Sequence, residues 1–447
     1  MKRILFLVAC LVTLVACGGD SALPNPTGKG NIRMINAIPG SPPVRFLIEE
    51  LLISQVSYKN SSSPADYDDF SYTFNFDIIV PGASALSRVA SRTLQVEKDR
   101  ELIFFLSGDI NNPDIAIWDG DIRTFDAEGT VLETRFSHGS NTLGDIDIYF
   151  DPAGTVPGTN PPAASLSFGE ISDPADFEAG DFVLTVTAAN DVNTVYFVTQ
   201  DTSLPAGFAH IITVYDGDAN DAGTVAVRSM TGDGTAIAFG DITSPPQVRF
   251  INTSLEVGAV DIYDDDQLTN LVAANVPFAG ATPYLDTTTT DRTFYFTPAG
   301  STAQILIEQL FTARPSATFS NIYVVGDASS AVATGLVPDR AAYTTSARLV
   351  IFHGAANNRR FNAFLVDRGG EFNDDVGAIL FDVRYGGPSS VVALEEGSYD
   401  LYLTDTLTGN VVVSGFPLEL VIGGVVELIA VDNVDPAIID LVDISLP

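Results

Sequence analysis

Gln247-Val248-Arg249-Phe250-Ile251-Asn252-Thr253-Ser254, followed by Val260-Asp261-Ile262-Tyr263, is the stretch from which the rest of the chain can be read. Both runs are short, rich in β-branched and aromatic residues, and partly alternating, as in a β-strand. They read as two strands around a turn, the first hairpin-like element of a domain. The pattern is written four times. Asn36, His138, Asn252 and His353 mark the same point in each copy, and eight residues after each mark comes a second short run, at 44–47, 146–149, 260–263 and 361–364. A separate closing mark, Gly108-Asp109, Gly217-Asp218, Gly326-Asp327 and finally Asp432, keeps nearly the same period. Two independent marks with one period indicate a tandem array. A step of about 105 residues is too long for a propeller blade of about 40–50 and suits a complete domain.

The array follows a targeting segment. Lys2-Arg3 precedes an apolar run over 4–16 that is too short to span a bilayer as a helix. Leu14-Val15-Ala16-Cys17-Gly18-Gly19 resembles the lipobox of bacterial lipoproteins, which implies cleavage before Cys17 and lipidation of that residue. By the same resemblance, Gly18 in place of Asp implies the outer membrane of a Gram-negative bacterium. The expected organisation is a signal peptide at 1–16, lipidated Cys17 and a tether at 17–30, and β-sandwich repeats at 31–128, 129–243, 244–344 and 345–447. Cys10 would leave with the signal, so the mature chain would have no disulfide and would depend on its cores alone.

Composition narrows the function classes. The 447 residues are 46% hydrophobic and 10% aromatic, enough to bury cores. Lys and Arg number 22 against 57 Asp and Glu, and no Lys follows Lys98. Nucleic-acid binding requires a basic surface, so no nucleic-acid partner is expected. The same deficit argues against attraction to anionic headgroups, leaving the N-terminal lipid as the expected membrane contact. Each repeat holds several short β-rich runs with turn residues about every 8–12 positions, the signature of an all-β sandwich or barrel.

Catalytic motifs are absent. The sequence contains no Gly-x-Ser-x-Gly elbow, His-Glu-x-x-His, Cys-x-x-Cys or P-loop. Of its three histidines, His138 and His353 stand where other copies carry Asn, which points to side chains that hold a turn. Asp216, Asp218, Asn220 and Asp221 alternate as oxygen ligands for calcium would, but without the Gly and Glu of an EF-hand. Solvated acidic turns, where turn geometry favours Asp, are the preferred reading of this run, and calcium is the weaker one. Asp147 and Asp261 sit between apolar neighbours on alternating strands and are expected to face outward, as a solvated face or as a repeated binding face.

Three sequence features together resemble the domain-of-unknown-function 4397 family: the Arg-Phe-Ile-Asn and Val-Asp-Ile-Tyr pattern of 249–252 and 260–263, Phe168-Gly169 through Leu184-Thr185-Val186-Thr187, and Tyr323-Val324-Val325-Gly326-Asp327. The resemblance implies exported immunoglobulin-like β-sandwiches, often in tandem and often on lipoproteins, with no catalytic residues to carry over. The first copy departs from the pattern with Arg45 and the fourth with Ala363. The expectation is a lipid-anchored cell-envelope protein acting as a non-enzymatic binding, adhesion or spacer module toward a protein or glycan partner, with no cofactor unless calcium. A glycan-acting hydrolase is the alternative, since 57 acids make carboxylate pairs easy to form.

Overall fold

A computed structural model describes residues 25–83, 85–126, 129–373 and 375–446. The expected signal segment, Cys17 and most of the expected tether lie outside the described residues. Among those residues the fold is all-β with no helix, arranged as eight separate sheets of four or five strands.

The stretch 247–263 is not a hairpin. Its two strands, Gln247–Asn252 and Val260–Tyr263, lie in different sheets. Val248 and Phe250 from one meet Val260 and Ile262 from the other inside a single core. Burial of these side chains between two layers turns the connection into an arch from sheet to sheet. Gln247–Asn252 runs parallel to Phe319–Val325, in register from Gln247 with Phe319 to Asn252 with Val324. A parallel pair needs a long crossover, and here the crossover contains the whole second sheet. That sheet has the order Leu271–Val276, Val260–Tyr263, Arg292–Pro298 and Ile307–Phe311.

The arrangement recurs along the chain. Lys29–Asn36 pairs in parallel with Arg100–Asp109, Val131–His138 with Ala209–Asp216, and Ala347–His353 with Val425–Asp432. The first of these strands begins at Lys29, inside the stretch expected to be tether. Four apolar clusters each draw on two sheets from one stretch of chain and form four sandwich cores.

Two further clusters lie between sandwiches. Ile35, Ile103, Phe105 and Trp118 of the first pack on Ile211, Tyr215, Ala226 and Met230 of the second. Ile251, Tyr323 and Val325 of the third pack on Phe352, Ile429 and Val431 of the fourth. The parallel-pair sheets are therefore covered on both faces. In Arg100–Asp109, Leu102, Phe104 and Leu106 point into the sandwich core while Ile103 and Phe105 point into the neighbouring sandwich. This explains an unbroken apolar run, as for any strand buried on both sides. The chain thus forms two back-to-back pairs. Contacts between the pairs are sparser, and include Thr344 N–H to Gly40 C=O at 2.8 Å and Ala222 N–H to Ala317 C=O at 3.0 Å.

Candidate functional sites at the repeat marks and between the sandwiches

The four mark residues are fully buried at the foot of each arch. Asn36 donates from Nδ2 to Ser41 Oγ (2.9 Å) and Val56 C=O (3.1 Å), and accepts from Ile38 N–H (3.1 Å). Asn252 donates to Gly258 C=O (2.6 Å) and Val276 C=O (3.2 Å), and accepts from Ser254 N–H (3.2 Å). Val56 and Val276 end edge strands of the opposite sheet, so the amide ties the two layers together. His138 does part of this work. Its Nε2 donates to Gly144 C=O at 2.9 Å and its Nδ1 accepts from Ser140 N–H at 3.3 Å. His353 finds no hydrogen-bond partner for either ring nitrogen among the described residues and packs on Phe361, with centroids 4.6 Å apart. Burial lowers the pKa of both imidazoles, that of His353 to about 4.

A backbone bond accompanies each mark. The carbonyls of Asn36, His138, Asn252 and His353 accept from the N–H of Lys59, Gly169, Ala279 and Gly386. All four donors have a positive φ, of 63°, 81°, 60° and 77°. The left-handed conformation is easy for glycine and costs Lys or Ala about 1 kcal/mol or more.

The strand aspartates depart from expectation. Asp147 and Asp261 are only 5% and 6% exposed. Asp261 accepts Asn275 N–H and Gly300 N–H, both at 2.7 Å; Asp147 accepts Asn190 N–H at 2.8 Å and Ser165 Oγ–H at 2.5 Å. Asn275, Gly300 and Asn190 all have positive φ. The carboxylates satisfy backbone groups at bulges and hairpin turns, and this local use covers them. Asn362 has the corresponding place in the fourth sandwich and accepts Asp382 N–H at 2.9 Å.

The acidic run 216–221 is engaged with the protein itself. Asp216 accepts from Asn141 N–H (2.9 Å) and from the hydroxyls of Ser140 and Thr142. Asp218 and Asp221 both face the buried Lys59 ammonium, at 3.1 Å from Asp218, and Asn220 accepts Arg340 N–H at 2.6 Å. The cation held by this run is thus an amine from the first sandwich. Among the described residues no group of three or more His, Cys, Asp or Glu is placed to hold a metal ion.

Three clefts lie where sandwiches meet, and a smaller cavity of about 40 Å³ lies within the third sandwich, beside Val248 and Phe294. One cleft, of about 310 Å³, opens between the first and second sandwiches, lined by Arg33, Arg123, Arg135, Trp118, Phe125 and Phe208 among others. Another, of about 190 Å³, lies between the third and fourth beside Asn321, Tyr323 and Glu427. The last, of about 380 Å³, lies between the second and third and is lined largely by uncharged residues such as Thr199, Phe239 and Ser316. Arg33 and Arg249, each three residues before a mark, cross the two paired interfaces. Arg33 Nη1 donates to Thr231 C=O at 2.8 Å and Nε pairs with Glu101 at 3.1 Å. Arg249 Nη2 donates to Ile444 C=O at 2.6 Å and Nη1 pairs with Glu427 at 3.3 Å. Glu427 also accepts from Asn321 Nδ2 (2.8 Å) and Tyr323 Oη (2.9 Å), while burial raises its pKa. Sequence reasoning missed these arginines. The available signal was a cation recurring in an otherwise apolar strand, at Arg33, Arg135 and Arg249.

Residues 246–363 match the family model of the domain of unknown function DUF4397. The match covers the third sandwich and runs into the first two strands of the fourth. No curated protein matches the chain. A solved structure, the Bacillus anthracis TIE protein, is similar at 11% identity over 91% of this chain and 69% of that one. With a TM-score of 0.16, that likeness bears on neither fold nor function.

Proposed function

We propose that this chain is a lipid-anchored, exported binding module of the cell envelope, without catalytic activity of its own. On this reading Cys17 carries the lipid, and four copies of one immunoglobulin-like unit are assembled as two rigid pairs that present clefts to a partner. The observation that carries the binding role is the use of the repeated polar side chains. The Asn and His138 marks and the strand aspartates are spent on holding arches, bulges and turns, and the three larger clefts described above, each between two sandwiches, supply concave surface for a ligand.

Fractionation of a bacterial host expressing the full chain tests the anchor. The wild-type protein is expected in the membrane fraction, labelled by a fatty-acid precursor. Cys17→Ser is expected to lose both the label and the membrane association. Equal partitioning of the two would overturn the lipoprotein reading.

A further inference from the structure

We propose that the cleft between the first and second sandwiches binds a sugar acid, with Arg135 taking its carboxylate. The inference deepens the binding-module reading and rests on it. Arg135 projects from Val131–His138, is half-buried, and pairs with no acid among the described residues. Its guanidinium lies against Gly120 of the first sandwich, where an added Cβ would come within 2.8 Å of Nη2. The other two arginines of the cleft are already engaged: Arg33 with Glu101, and Arg123 with Glu133 and Asp176. In a chain of net charge −35, a free guanidinium in an inter-domain cleft is a place prepared for an anion. Its planar fork matches a carboxylate with two parallel hydrogen bonds.

The rest of the lining narrows the class. Glu101, Asp121, Glu133 and Asp233 also border the cleft. They oppose polyphosphates and other dense anions, while their oxygens can accept hydrogen bonds from hydroxyl groups. Phe208, 40% exposed, offers an apolar face on which a pyranose ring can lie; Phe125, with the Arg123 guanidinium 4.7 Å over its ring, and the chain's single tryptophan, Trp118, form part of the wall. His210 is held by Ser229 Oγ at 3.0 Å and Pro205 C=O at 3.1 Å, and burial lowers its pKa, so it adds no further cation to the three arginines at neutral pH. One carboxylate, several hydroxyls and an apolar ring face describe a uronic acid. The volume of about 310 Å³ accommodates one or two such rings.

Saturation-transfer NMR on the full mature chain, with D-glucuronate, D-glucose and acetate as probes, tests this. Glucuronate should receive saturation, glucose should not, and acetate should fail to displace glucuronate at equal concentration. Arg135→Gln should weaken glucuronate binding by at least about tenfold, with Arg135→Lys intermediate. Phe208→Ala, at an exposed site, should also weaken binding with no change in thermal midpoint, which separates loss of ligand from loss of fold. Absence of saturation, equal saturation of glucose, displacement by acetate, or indifference to Arg135→Gln would each overturn the sugar-acid proposal and leave the binding-module reading standing. New reducing ends released from an oligouronate would overturn the non-catalytic reading instead.

Discussion

His353 occupies in the fourth sandwich the place that Asn36 and Asn252 fill with three side-chain hydrogen bonds each, yet it makes none among the described residues. An imidazole without partners is tolerated only while neutral, and burial accordingly holds its pKa near 4 instead of the ordinary 6.5. Between those values the unfolded chain binds the proton and the folded chain does not. Stability contributed by the neutral ring is therefore complete above about pH 6.5 and falls away as pH drops toward 4, by on the order of 3 kcal/mol across the window. His353→Asn, which restores the residue used in the first and third sandwiches, should flatten that dependence. Urea denaturation at pH 7 and pH 4.5 checks it: the wild type should lose more stability than the variant, and equal losses would show that another group titrates. The turn-holding role of Asn and His138 was legible because a recurring polar residue just before a turn has few other uses. The burial of Asp147 and Asp261 was not, because the N–H groups that cover them come from Asn190, Asn275 and Gly300, residues distant in sequence.

At the scale of elements, strand content and the spacing of the two opening strands were readable, but their pairing was not. A gap of this length between short apolar runs fits a hairpin or an arch equally, and only packing against the other layer decides between them. Asp261 illustrates how the second sheet is then secured. Its strand, Val260–Tyr263, is four residues long and lies between Leu271–Val276 and Arg292–Pro298. One carboxylate oxygen fixes the bulge at Asn275 on the first neighbour, and the other fixes the turn at Gly300 that follows the second. Asp261→Ala would leave two backbone donors without their charged acceptor and should cost about 2–4 kcal/mol. Asp261→Asn keeps one acceptor oxygen and should cost about half as much. Urea unfolding of the two variants distinguishes this from a solvated-face role, for which both substitutions would stay within about 0.5 kcal/mol of wild type.

At the scale of the whole molecule, the feature hardest to anticipate is the pairing of sandwiches, although its trace is in the sequence. Half-buried sheets alternate apolar and polar residues, whereas Leu102-Ile103-Phe104-Phe105-Leu106 and Ile211-Ile212 do not, and Tyr323-Val324-Val325 repeats the theme. Each such run fills its own core with one set of side chains and the neighbouring interface with the other. The run shows that something covers the outer face; which body does so depends on all four sandwiches being in place. Because the first and second share this apolar interface, they should unfold together, and Trp118 reports on them specifically as the only tryptophan of the chain. Ile211→Asp buries an unpaired carboxylate in the interface while sparing both sandwich cores. It should move the Trp118 fluorescence transition to lower urea and separate it from part of the circular-dichroism transition. Ile251→Asp makes the same change in the interface between the third and fourth sandwiches and should leave the Trp118 transition where it was. A Trp118 transition that shifts equally in both variants would mean that the four sandwiches unfold as one unit and that the sparse contacts between pairs are as strong as the apolar interfaces within them.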